Sequence, residues 1–302
     1  MASGAAEVRP VREAAPAKVN LSLHVAAPAP SGLHPLASLV VFAPGAADQI
    51  SASAAGTLSL RITGPFATGL EADATNLVLR AASALARQAG LAAPGAQLVL
   101  DKQLPVASGI GGGSADAAAA LRALNRLWRL DATMADLEGV AAGLGSDVPA
   151  CVQARTCWME GMGEVLRPGP ALPALPALLV NPDTPCPTGP VYAEYDAIGQ
   201  FGRLEHPDMP EAATTSTAAF TSWLAATRND LEAPAVARVP VIGRCLAALQ
   251  GCDGTLLARM SGSGATCFAI FASATQRDAA AVRLARQEPG WWVARTAWGE
   301  SP

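Results

Sequence analysis

The residues best placed to do chemistry are two lysines, one isolated aspartate and two glycine-rich segments. Of 21 cationic side chains only Lys18 and Lys102 are lysine; the rest are arginine, in a chain rich in alanine. A GC-rich coding bias that puts Arg wherever either residue serves accounts for the arginines. The two survivors are then candidates for tasks that need a compact, titratable ammonium rather than a wide, permanently charged fork. Residues 105–118 read PVASGIGGGSADAA, with Gly109, Gly111, Gly112 and Gly113 immediately before a strongly helical stretch. Such a loop can wrap backbone N–H groups around an anion, and the helix start adds unpaired donors and the positive end of its dipole. A phosphate-binding role follows, with Ser114 able to reach a phosphate or a magnesium ion. A flexible turn before a helix is the plainer alternative. No GK[ST] occurs, so this is not a Walker loop, and the spacing G-x-G-x-x-Ser without a surrounding βαβ unit excludes the dinucleotide fingerprint.

The second segment, SGSGAT at 261–266, lies between LLARM and CFAIF. It reads either as a hairpin turn or as a second backbone cradle that meets the first. Asp147 sits in LGSDVPA among small and apolar residues, with no cation nearby in sequence. A carboxylate in such surroundings is a cap or turn residue, or a partly buried group that needs a partner from elsewhere. Lys18 opens an apolar strand in PAKVN, and an interior-facing lysine there needs a carboxylate partner too.

These groups must be positioned by regular elements. Residues 18–25 alternate apolar and polar, and so do 57–62 and 97–101, which predicts strands; 36–43 is a further apolar strand. Asn76 precedes an Ala/Leu-rich helix stopped by Gly90. A second helix covers 114–129 with Ser114 as N-cap, and Thr133 caps a third over 134–142, ended by Gly143. A proline-rich stretch after 168 marks a boundary between domains 1–168 and 169–302. Beyond it come a strand (ALLVN), helices at about 216–226 and 235–249, strands at 265–272 and 291–297, and a helix at 275–286. The mixture predicts a two-domain α/β or α+β protein.

Composition excludes several classes. Hydrophobic residues at 51% and charged residues at 15% fit a folded chain rather than a disordered one. The formal net charge of -4 and the lack of a basic tract argue against nucleic acid. No apolar run reaches the ~18–20 residues that cross a bilayer, and the N-terminus lacks a signal-type apolar segment. A cytoplasmic protein is expected. Its six cysteines form no CxxC pair and are expected to be reduced and buried.

Taken in order, PAKVNLSLHV, LPVASGIGGGSADAAAAL, LGSDVPACV and RMSGSGATCFAIF resemble the motif set of the GHMP kinases along nearly the whole chain, about 14–298. PAKVN, GLHPLAS, DKQLP, GSDVP, PTGPVY and NDLE narrow the likeness to members that phosphorylate a cytidine diphosphate sugar alcohol in isoprenoid precursor synthesis. They argue against members acting on homoserine, mevalonate or a sugar. The intact Lys18 and Asp147 argue against a non-catalytic nucleotide-binding member. The resemblance implies an α+β fold with an N-terminal mixed-sheet domain carrying helices, a C-terminal ferredoxin-like domain and an active site in the cleft. It implies ATP and Mg2+, a small-molecule substrate, no nucleic acid or membrane partner, and a monomer or weak homodimer.

Carried over residue by residue, the resemblance makes Asp147 the catalytic base that accepts the proton of the substrate hydroxyl, with Lys18 beside it. Asn20 helps place the hydroxyl-bearing end. Pro105, Ser108, Gly109, Gly111, Gly112, Gly113 and Ser114 form the triphosphate loop, Ser114 being the one nominee for a metal ligand. Asn76 and Lys102 line the adenosine site. His34 and Tyr192 hold the cytosine, by hydrogen bonding and stacking. Gly262 to Thr266, with Gly264 and Thr266 as contacts, close around the phosphates and the sugar-alcohol end. One departure stands out: the family's usual Gly-Tyr-His turn is Gly32-Leu33-His34 here, so Leu33 keeps an apolar contact but lacks an aromatic face.

Overall fold

The computed structural model describes residues 9–299. In chain order the strands and helices are β1 (Val11–Val25), β2 (Leu36–Ser53), β3 (Leu58–Thr63), α1 (Leu77–Gln88), β4 (Ala96–Asp101), α2 (Gly112–Trp128), α3 (Met134–Ala142), α4 (Val148–Gln153), β5 (Cys157–Glu160) and β6 (Val165–Pro168). They continue with β7 (Leu175–Asn181), α5 (Thr188–Ile198), α6 (Thr217–Ala225), α7 (Glu232–Arg238), α8 (Val241–Gln250), β8 (Thr255–Met260), β9 (Cys267–Phe271), α9 (Ala274–Gln287) and β10 (Trp292–Trp298). Two compact units interleave along the chain. Of the described residues, one takes 9–15, Asp48–Leu104 and Gly113–Gln153; the other takes Pro16–Ala47, Pro105–Gly112 and 154–299.

In the first unit β3 pairs in parallel with β4, and β4 antiparallel with the end of β2. Helix α1 buries Val78, Ala81, Ala82, Leu85 and Ala86, one face at three-to-four spacing. Helix α2 is buried at nearly every position from Ala115 to Leu124, and its run of alanines suits a helix enclosed on most sides. Thr133 and Asp136 form a reciprocal capping box at the start of α3.

The second unit carries the antiparallel sheet β10-β7-β9-β8. Numbered within the unit this order is 4-1-3-2, with helices between the first and second strands and between the third and fourth, the ferredoxin-like arrangement. The start of β2 pairs with β5, and β5 with β6. Strand β1 pairs with β2. Buried Arg259 on β8 donates to the carbonyls of Leu21, Leu224 and Thr227, fastening β1 to this unit. Burial pulls its pKa down to about 10, against a smaller upward pull from Glu232.

The sequence expectations hold for α1, α3, α6, α9 and the main strands. Three corrections apply. Helix α2 starts at Gly112, so Ser114 lies inside its first turn rather than capping it: Gly111, at φ +62, turns the chain early enough for the next two glycines to wind in. The helix expected at 235–249 is two helices, α7 and α8, parted around Pro240. Helices α4 and α5 and strands β5, β6 and β8 were not anticipated. Among the described residues no helix is long and apolar enough to cross a membrane, and all six cysteines are buried and outside any disulfide.

Candidate functional site

Both glycine-rich segments belong to the second unit as far as Gly112, and there they touch. The Thr266 N–H donates to the Ser108 carbonyl at 3.1 Å, and the Ser261 hydroxyl donates to the Gly109 carbonyl at 3.0 Å. The approach is so close that a Cβ on Gly109 would lie 2.5 Å from the Ser261 carbonyl oxygen and 2.7 Å from the Gly264 nitrogen. Gly109 also has φ +73, and Gly264 φ +89. Ser108 is tied back to the Pro105 carbonyl at 2.6 Å, and the Thr266 hydroxyl accepts from Asn181. Ser108 and Thr266 are thus braces that hold the two turns as one backbone cradle. Gly109→Ala is expected to lower kcat/KM by at least ~10²-fold, because it separates the turns and strains φ together. Steady-state kinetics beside a thermal melt would check it; wild-type kinetics would show that the contact is dispensable.

Strand β1 brings Lys18 and Asn20 to this cradle. The Lys18 N–H donates to the Ile110 carbonyl at 2.9 Å, and its side-chain carbons pack where a Gly111 Cβ would stand, at 3.2–3.7 Å. Glycine at 111 therefore serves both the left-handed turn and the lysine stem. Lys18 is 5% exposed and Asn20 3%. The Asn20 amide donates to Ser38 at 2.7 Å, and Ser38 in turn to the Ser22 carbonyl. Burial pushes the nearby Cys157 thiol up to about 11, with Lys18 pulling it the other way, so this thiol stays protonated at neutral pH.

A ring cluster occupies another part of the second unit. The His34 ring lies 5.0 Å from Tyr192 and 6.4 Å from Phe201. Its Nδ1–H donates to the Ala26 carbonyl at 2.9 Å and its Nε2 faces the Asp196 carboxylate at 3.2 Å. Both ring nitrogens are thus engaged by the protein itself. Tyr195 is buried, its hydroxyl bonded to the Val25 carbonyl at 2.6 Å, so it is scaffold, whereas Tyr192 is only half-buried.

In the first unit Lys102 is 3% exposed, and its ammonium donates to Asp48 at 2.5 Å and Asp116 at 2.7 Å. Burial pulls its pKa down, but Asp116 and Asp48 outweigh that and hold it above the ordinary value. Asp48 also accepts the backbone N–H groups of Gln103 and Leu104. Asp116 keeps one buried oxygen without a partner, and burial raises its carboxyl to about 8. Asn76 caps α1, accepting from Val78 N–H and donating to the Glu71 carbonyl. Asp147, half-buried, stands immediately before α4, and Ser114 sits half-buried in the first turn of α2 beside the exposed Gly113.

Sequence reasoning passed over Ser261, Asn229, Asp48 and Asp116. Their partners lie far along the chain, so no local spacing announced them. Buried-polar accounting in the structure finds all four.

Family models match in two places: GHMP kinases N terminal domain over residues 76–155 and GHMP kinases C terminal over 215–290. A protein of Hyphomonas neptunium named 4-diphosphocytidyl-2-C-methyl-D-erythritol kinase is 49% identical over 95% of this chain and 96% of its own. The chain belongs to the 4-diphosphocytidyl-2-C-methyl-D-erythritol kinase family of GHMP kinases. A relative of the same name from Paracoccus denitrificans is 50% identical, over 94% of this chain and 95% of its own. A crystal structure of a 4-(cytidine 5'-diphospho)-2C-methyl-D-erythritol kinase superposes with TM-score 0.74 at 32% identity, covering 94% of this chain and 98% of that one. A homoserine kinase from Cytophaga hutchinsonii, at TM-score 0.69 and 17% identity, shares the fold. The two glycine segments that meet in the second unit lie one in each matched span.

Proposed function

We propose that this GHMP kinase transfers the γ-phosphoryl group of ATP to the 2-hydroxyl of 4-(cytidine 5'-diphospho)-2-C-methyl-D-erythritol, in the non-mevalonate route to isoprenoid precursors. The observation that carries the reading is the joined pair of glycine turns beside Lys18, in a chain whose near-full-length relatives bear that kinase's name. The loop 105–114 and the start of α2 hold the triphosphate. Asp147 accepts the hydroxyl proton as the alcohol oxygen forms its bond to phosphorus and ADP departs. Lys18 offsets negative charge at the transferring group, and Asn20 places the acceptor end. Positioning and charge neutralisation dominate such transfers. Asn76 and Lys102 serve as wall residues at the adenosine, since their polar groups are spent within their own unit.

The half-buried Tyr192 ring stacks on the cytosine, and His34 bonds to it once Asp196 yields Nε2. No group of three or more His, Cys, Asp or Glu side chains suited to a metal occurs among the described residues. That donor set fits a magnesium ion held chiefly by the nucleotide's own phosphates, with Ser114 as the protein oxygen. Such an ion would neutralise phosphate charge. The enzyme acts in the cytoplasm as a monomer or weak homodimer.

An assay of ADP release with this substrate, homoserine and mevalonate tests the assignment. Turnover with homoserine or mevalonate and none with the cytidine substrate would overturn it. Tyr192→Ala is expected to raise KM for the cytidine substrate about 10-fold, the loss of one stacked base, with KM for ATP unchanged. Equal shifts in both constants would move the base elsewhere.

A further inference from the structure

Three of the segments assigned to the reaction meet at one hydroxyl, that of Ser261, the first residue of the SGSGAT turn. Ser261 is fully buried. Its Oγ accepts the Asn20 backbone N–H at 3.1 Å and donates to the Gly109 carbonyl at 3.0 Å. The roles are forced, because a backbone N–H only donates and a carbonyl only accepts. Asn20 belongs to the strand that also carries Lys18, and Gly109 to the phosphate loop.

Ser261 is itself held rigidly. Its N–H donates to the Thr266 carbonyl at 2.9 Å, and its carbonyl accepts from Gly264 at 3.0 Å. The Asn229 amide donates to the carbonyls on either side of it, Met260 at 2.8 Å and Gly262 at 2.9 Å. Asn229 is braced in turn by accepting the Leu231 N–H at 3.0 Å. The hydroxyl is therefore a fixed spacer between a strand and a loop that come from distant parts of the chain.

We propose that Ser261 is a positioning residue that sets the distance between the phosphate loop and the strand bearing Lys18 and Asn20, and so aligns the γ-phosphoryl group with the acceptor hydroxyl. The proposal rests on the kinase reading above. Other bonds, from Thr266 to Ser108 and from Lys18 to Ile110, still join these segments when the hydroxyl is removed. Nucleotide binding then persists while alignment loosens. A shift on the order of 1 Å between reacting groups costs ~10²-fold in rate. A loosened acceptor also lets water compete: a water oxygen bonds to the γ-phosphorus, ADP leaves, and phosphate and a proton go to solvent.

The test compares Ser261→Ala with Ser261→Thr, which keeps the hydroxyl, measuring kcat, KM for ATP, and ADP formed per phosphorylated alcohol. In Ser261→Ala, kcat falls ~10–100-fold, KM for ATP stays within about threefold, and the ADP-to-product ratio rises well above one. Ser261→Thr recovers most of the loss and a ratio near one. Should the alanine variant unfold, Ser261→Cys, slightly larger and only a weak donor, leaves no cavity and carries the same expectations. A ratio that stays at one while kcat falls, or loss of ATP binding alongside kcat, overturns the positioning role. The ratio is read with whichever alcohol the wild-type enzyme accepts, so an error in the substrate assignment leaves this test intact. A wild-type enzyme that phosphorylates no alcohol would sink both readings.

Discussion

Lys102→Met is expected to destabilise the chain by about 3–5 kcal/mol at pH 8 and by clearly less at pH 5, the penalty for leaving buried charge without its partner. One ammonium stands between two carboxylates, all nearly inaccessible to water. Methionine fills the stem's space but leaves Asp48 and Asp116 facing each other. The sign of the pH effect follows from Asp116, whose carboxyl is raised to about 8 from an ordinary 3.8. Between those values the folded state holds a proton that the unfolded chain has lost. Stability therefore declines as pH rises from about 4 to about 8, and levels off above. Without the ammonium, Asp116 is raised further and the decline extends to higher pH, so the variant's deficit grows with pH. Denaturant melts at pH 5 and pH 8 measure it. An equal deficit at both would show that the lysine acts through packing alone.

That lysine also shows how far the sequence could be read. The rarity of Lys marked position 102 as special, and burial between two acids explains why an arginine fork was not substituted. The purpose was hidden because Asp48 lies 54 residues away. Local signals were reliable where structure is local: Asn76 and Thr133 announced their helices through caps. They failed where proline was read as punctuation. Pro190 sits in the first turn of α5, where its missing N–H costs nothing, so the helix already begins at Thr188, inside a proline-rich stretch that gave no helix signal. Strands β5 and β6, four residues each, are too short to show alternation and exist because β2 and each other offer pairing partners. From composition the glycine segments could be read either as turns or as backbone cradles. That they touch became visible only in the distances around Gly109, Ser261 and Gly264.

Asp147→Asn is expected to cut turnover by at least ~10²-fold. The substitution keeps the size and planarity of the side chain and removes its charge and basicity. The backbone before α4 has no reason to change: the Asp147 carbonyl still accepts the Cys151 N–H and Val148 still bonds to Gly145. A thermal melt beside the kinetics separates any loss of stability from loss of the base. The general-base role proposed for Asp147 sets the expected loss, since removing such a base lowers kcat by ~10²–10⁴-fold. The glycine cradle belongs to other residues, so an ATP analogue should bind with nearly unchanged affinity. A fall in kcat and kcat/KM together, with KM for ATP steady, is the mark of an interaction made in the transition state. Phosphoryl transfer through a loose transition state asks less of its base than acyl transfer does, which places the expected loss toward the lower end of that range. Turnover within about threefold of wild type would remove Asp147 from proton transfer and leave Lys18 and the cradle to act by charge and alignment alone.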